Sequence, residues 1–176
     1  PELRTIEVIG TDSAFTIETF GRPKPNGIVV DPSNSLLKGG PKLRVRAAIA
    51  RGEELAEQGR YFEAIQQYQR ALEVQKNNSL ADFRIGEAFF YQKNYQAAAN
   101  AFREATEGDL DPSYKWVEVW AHMYLGKIFD ISGQRERAIN EYDKAKKTND
   151  DTGGAQAEAD KYLKQPYKED NTPGGS

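Results

Sequence analysis

Residues 86–105 read GEAFFYQKNYQAAANAFREA, and this stretch decides the fold. The same skeleton stands at 52–71, GEELAEQGRYFEAIQQYQRA, and again at 126–145, GKIFDISGQRERAINEYDKA. Each copy opens on a glycine (Gly52, Gly86, Gly126) and carries an alanine twelve residues on (Ala64, Ala98, Ala138). Four residues later comes an aromatic (Tyr68, Phe102, Tyr142), and three beyond that another alanine (Ala71, Ala105, Ala145). The first two copies are 34 residues apart and the second and third 40. A period of this size marks a stack of supersecondary units, each too small to bury its apolar face alone.

Within a unit, apolar residues recur at intervals of three and four, as in Ala64, Tyr68, Ala71 and Leu72, which is the spacing of an amphipathic helix. Two helices per unit are separated by Gln58-Gly59-Arg60, Gln92-Lys93-Asn94 and Ser132-Gly133-Gln134, where Gly or Asn suits a left-handed helix cap. The glycines and alanines permit close approach of the two helices, and the aromatics fill the space beside them. The six extra residues before the third copy fall at Asp109 to Val117, so that unit is expected to begin with a lengthened helix from about Ser113. After it, Asp150-Asp151-Thr152 reads as the cap of one more helix through Ala155, Ala159, Tyr162 and Leu163, stopped by Pro166.

The sequence of small residue, large apolar residue, alanine, aromatic and alanine resembles the tetratricopeptide repeat family, over roughly Val45 to Asp150. Its tryptophan-like position holds Ala48, Asp82 and His122, and its closing proline is replaced by Lys76, Leu110 and Asp150, so the repeats are divergent. The resemblance implies a mainly α fold, an α-α superhelix, with repeats at about 45–78, 79–112 and 119–150 and a capping helix at 152–165. It also implies that the first helix of each unit lines a concave, protein-binding groove. The groove-facing set would include Arg46, Ile49 and Glu53, then Leu80, Phe83, Glu87 and Phe90, then Trp120, Met123 and Lys127. A subgroup of the family clamps a partner's terminal carboxylate with lysine, arginine and asparagine. Ile49, Glu53 and Trp120 stand in those places here, which disfavours a clamp and leaves an apolar groove with charged edges.

Composition narrows the function. A net charge of −3 and a pI near 5.4 argue against a general nucleic-acid binder, which needs a basic face. No apolar run is long enough to span a bilayer. The absence of cysteine removes disulfides, thiolate metal sites and a cysteine nucleophile, and His122 is the one histidine. Having no carboxylate at helical spacing on its own face, His122 reads as a packing residue. Asn149-Asp150-Asp151-Thr152-Gly153-Gly154 lacks the alternating acids and closing glutamate of a calcium loop and reads as a helix cap. No cofactor, no metal and no catalytic constellation is expected. Because the chain opens on Pro1, removal of a leader is consistent with export, which is favoured over a cytoplasmic location.

Residues 1–41 have a different texture. Thr5-Ile6-Glu7-Val8 and Phe15-Thr16-Ile17-Glu18 alternate apolar and polar around Gly10-Thr11-Asp12-Ser13, a candidate β-hairpin, and Ile28-Val29-Val30 is a candidate third strand. Gly39-Gly40-Pro41 reads as a hinge and residues 166–176 as a polar tail. Three short strands make no core of their own, so a β-rich N-terminal arm must lie on the helices, pair with another chain, or be disordered. Ile6, Val8, Phe15, Ile17, Ile28, Val29 and Val30 are its assembly candidates. Two non-enzymatic readings follow. One is a scaffold or self-assembling subunit whose arm contacts a neighbouring copy, giving a homo-oligomer or filament. The other is a monomeric adaptor that takes an apolar segment of a different protein.

Overall fold

A computed structural model describes residues 40–169. The β-rich arm expected at 1–41, with all seven assembly candidates, lies outside the described residues but for its last two, and Pro41 opens a helix.

Seven α-helices follow in chain order: α1 (Pro41–Glu57), α2 (Tyr61–Val74), α3 (Ser79–Tyr91), α4 (Tyr95–Glu107), α5 (Trp116–Ile131), α6 (Arg135–Lys147) and α7 (Ala155–Lys164). They pack as the antiparallel pairs α1/α2, α3/α4 and α5/α6, each pair resting on the next, with α7 against α6. The first helices α1, α3 and α5 also touch in succession, and α7 touches α5, so these four form an inner row.

The repeated glycine and aromatic hold each pair together. A Cβ added at Gly52, Gly86 or Gly126 would stand 2.3, 2.6 and 2.3 Å from the rings of Tyr68, Phe102 and Tyr142. Those rings are 1%, 0% and 0% exposed, so they have no room to yield. The alanines of the skeleton are equally buried, and larger side chains would force the helices apart. A second aromatic layer joins pairs two and three. Phe83 meets Phe102, Trp116 and Tyr124 at 5.5, 5.3 and 6.0 Å between centroids, and Tyr124 stacks on Phe102 at 4.8 Å.

The turns between paired helices are left-handed at Gly59 (φ 73°), Lys93 (φ 59°) and Gly133 (φ 71°). In the middle turn the left-handed residue is therefore Lys93. Asn94 instead caps α4, its side chain accepting from the Ala97 amide. The insertion before the third unit is divided. A 3-10 turn at Pro112–Tyr114, capped by Asp111, takes part of it, and α5 starts ten residues before its glycine where α3 starts seven before. Asn78 pairs with Asp109 as an isolated parallel bridge that ties the α2–α3 turn to the α4–α5 connection.

Candidate functional site: the inner face of the helical stack

The inner row presents three adjoining lines of side chains at intervals of three and four residues. On α1 these are Lys42, Arg46, Ile49 and Glu53; on α3, Leu80, Arg84, Glu87 and Tyr91; on α5, Trp116, Trp120, Tyr124 and Lys127. A concavity of about 950 Å³ opens against the first two lines, walled at its far side by Asp109, Asp111 and Trp116 from the α4–α5 connection and α5. A second, of about 450 Å³, shares Glu53 and Arg84 with the first and is bounded by Glu57, Tyr61 and Tyr91.

Arg84 stands at the centre of this face. Its guanidinium donates to Glu53 of α1 and to Glu87 one turn along α3, at 2.7 Å in each ion pair, and lies 5.3 Å from the Trp116 ring. Tyr124 of α5 donates to Glu87 at 3.4 Å, so one network links all three inner helices. Burial pushes the Glu87 carboxyl above the ordinary range, and the pull of Arg84 in the other direction does not fully offset it. Burial likewise pushes the Tyr124 hydroxyl up, and Glu87 adds to it, so that hydroxyl stays a donor.

Towards α7 the face changes character. Lys127 pairs with Glu158 at 2.8 Å, and its ammonium lies 5.2 to 5.6 Å from the rings of Trp120, Tyr124, Tyr162 and Tyr167. The Asp130 side chain, 1% exposed, accepts from Arg135 at 3.0 Å and from the Tyr142 hydroxyl at 2.9 Å. Arg135 reaches on to the carbonyls of Tyr162 and Leu163, at 2.7 and 2.9 Å, and so satisfies the end of α7.

Of the residues singled out in the sequence, Glu53, Glu87, Trp120 and Lys127 are partly exposed on this face. Ile49 and Leu80, 5% and 8% exposed, floor the larger concavity. Phe90 is half-buried against Tyr95 and Tyr124. Phe83 and Met123, 1% and 0% exposed, point into the core and do not line the face. They sit one residue before Arg84 and Tyr124, and a rotation of about 100° per residue puts the polar member of each couple outward. The middle of the face is thus an ion-paired network and not an apolar strip. Arg84, Tyr124 and Asp130 escaped the sequence reading, although Leu80-Arg84-Glu87-Tyr91 has the helical spacing that marks a single stripe.

His122, expected as a packing residue, is half-buried and has a partner on the next helix. Its Nδ1 lies 2.7 Å from Glu141 of α6, which Lys144 also contacts at 2.8 Å. Burial pushes the Glu141 carboxyl up, but hydrogen bonds from His122 and Lys144 outweigh it and hold it below the ordinary range. The signal was available: Tyr142 packs on Gly126, which brings their neighbours 141 and 122 together. Among the described residues no cluster of three acidic or histidine side chains is arranged to hold a metal, and no helix is long and apolar enough to cross a membrane.

Paired helices stacked in register, with their first members forming one inner face, define an α-helical repeat protein. The family model described as tetratricopeptide repeat matches residues 49–114. Among solved structures, the second repeat domain of Spaghetti (RPAP3), described as bound to the HSP90 peptide SRMEEVD, is 22% identical with a TM-score of 0.51, covering 59% of this chain and 91% of its own. A crystal structure of MamA is 24% identical with a TM-score of 0.52, covering 73% of this chain and 78% of its own. A further MamA crystal structure stands at 23% and 0.51, covering 68% and 69%. At this identity the likeness is one of fold. No curated protein matches the chain.

Proposed function

We propose that this protein is a non-enzymatic protein–protein interaction module whose inner face takes an extended segment of a polypeptide partner. The observation that carries the reading is the concavity of about 950 Å³ along α1 and α3, in which Ile49 and Leu80 floor a channel edged by Lys42, Arg46, Asp109 and Asp111. An apolar floor with charged edges suits a peptide that lays apolar side chains down and keeps its polar ones at the rim. The Spaghetti domain, described as bound to an HSP90 peptide, lends support by its fold. The reading is of binding without catalysis.

An array of extended octapeptides probed with the full chain tests this. Capture of a subset sharing a side-chain pattern is expected, with loss of capture for Arg84→Glu, which breaks the central network and reverses its charge. Indifference of every captured peptide to that change would overturn the reading. Light scattering after size exclusion distinguishes the occupants: a monomer is expected of an adaptor, and a concentration-dependent oligomer of a scaffold built from copies of this chain.

A further inference from the structure

The end of the inner face nearest α7 already carries a ligand-like segment. Beyond α7 the chain turns extended at Gln165 (φ −142°, ψ 141°), and Pro166 prevents any return to helix. The Tyr167 amide then donates to Asp130 at 2.7 Å. Its ring meets Tyr162 edge-on, 5.3 Å between centroids, and lies 5.4 Å from the Lys127 ammonium. Two residues on, Glu169 accepts a hydrogen bond from the Tyr95 hydroxyl and stands 3.5 Å from Lys93. Tyr167 and Glu169 are half-buried while Lys168 between them is exposed, the alternation of an extended strand that lays every second side chain on a surface.

We propose that this surface recognises an extended segment presenting an aromatic ring and, two positions later, a carboxylate. The chain's own Tyr167-Lys168-Glu169 is its resident occupant, a strap that an outside partner must displace. The inference rests on the inner face being the binding face and adds regulation to it. Three anchors of different kind define the specificity. Lys127, flanked by Trp120 and Tyr124, receives the ring; buried Asp130 receives a main-chain amide; Tyr95 and Lys93 receive the acid.

The fold does not need the strap in order to close. Arg135 already holds the carbonyls of Tyr162 and Leu163 and Pro166 stops the helix, so residues 167–169 are not required to cap its end. The acid anchor is part solvated, with the Lys93 side chain 66% and the Glu169 side chain 28% exposed. A short extended segment that follows the last helix can open locally while the helices stay folded. Its tether gives it an effective concentration on the order of millimolar, enough to exclude weak competitors and to yield to a strong one.

The test uses the full chain, a fluorescein-labelled synthetic peptide of residues 164–176, and fluorescence anisotropy. The double variant Tyr167→Ala/Glu169→Ala is expected to bind the peptide at least about tenfold more tightly than the wild type, whose own strap competes. A peptide carrying the same two alanines should bind neither protein. Equal binding to both proteins, or to neither, overturns the proposal, with circular dichroism showing that the helices persist. A second variant, Tyr95→Phe, keeps the ring on Phe90 and removes only the hydroxyl that holds Glu169. Amide exchange at Tyr167 should then quicken severalfold, and an unchanged rate overturns the strap. An array that captures no partner while both strap results hold removes the partner reading and leaves the strap intact.

Discussion

Asp82 offers the sharpest physical test, because its environment penalises its charge. It occupies the family's tryptophan-like position on α3, is 9% exposed, and faces Glu104 of α4. Burial first, and the like charge of Glu104 second, push its carboxyl up from 3.8 to about 6. Between pH 3.8 and about 6 the folded chain therefore holds a proton on Asp82 that the unfolded chain has released. Stability associated with this group is fully present below pH 3.8 and is lost as pH rises through about 6. The whole gap corresponds to about 3 kcal/mol, of which about 2 kcal/mol falls between pH 4.5 and pH 7.5. Asp82→Asn keeps the shape and removes the charge. The variant should gain stability over the wild type at pH 7.5, and that gain should exceed its gain at pH 4.5 by about 2 kcal/mol, or about 6 °C in Tm. Thermal and urea unfolding followed by circular dichroism, both proteins at both pH values, measures it. A gap between the two proteins that does not change with pH would refute the reasoning.

Two further outcomes follow from packing and from a buried charge. Gly86→Ala places a Cβ 2.6 Å from the Phe102 ring, which is fully buried. It should cost about 2–3 kcal/mol in urea unfolding, as overpacking does, and a neutral result would show that the two helices separate more easily than their contact implies. Asp130→Asn keeps the side chain's size but leaves Arg135 without its carboxylate partner, and weakens the acceptor used by Tyr142 and the Tyr167 amide. A loss of about 2–3 kcal/mol is expected, below the usual range for a broken buried pair because Arg135 is partly exposed, and Tm measured at neutral pH checks it.

The repeat was legible in the chain because its cause is local. A glycine, an aromatic sixteen residues later and alanines between them encode one helix packed on the next, and Gly86 against Phe102 needs no distant partner to be inferred. The left-handed turns were legible for the same reason, save at Lys93, where an ordinary residue adopts the turn and Asn94 after it is engaged as a cap. The inner face was legible in outline only. A helix side can be read from spacing, yet whether Phe83 or Arg84 faces outward depends on which neighbour claims the ring, and Phe102, Trp116 and Tyr124 claim it from two other helices.

What the sequence by itself determined is the unit: two amphipathic helices, their turn, and the period at which units recur, all set by side-chain size and backbone preference within about forty residues. Only the tertiary structure decided the face that the units build. Glu53 meets Arg84 across 31 residues, and Tyr95 meets Glu169 across 74. Polar partnerships of that reach leave no periodic trace, because a charge or hydroxyl selects its partner by distance and desolvation after the helices have packed.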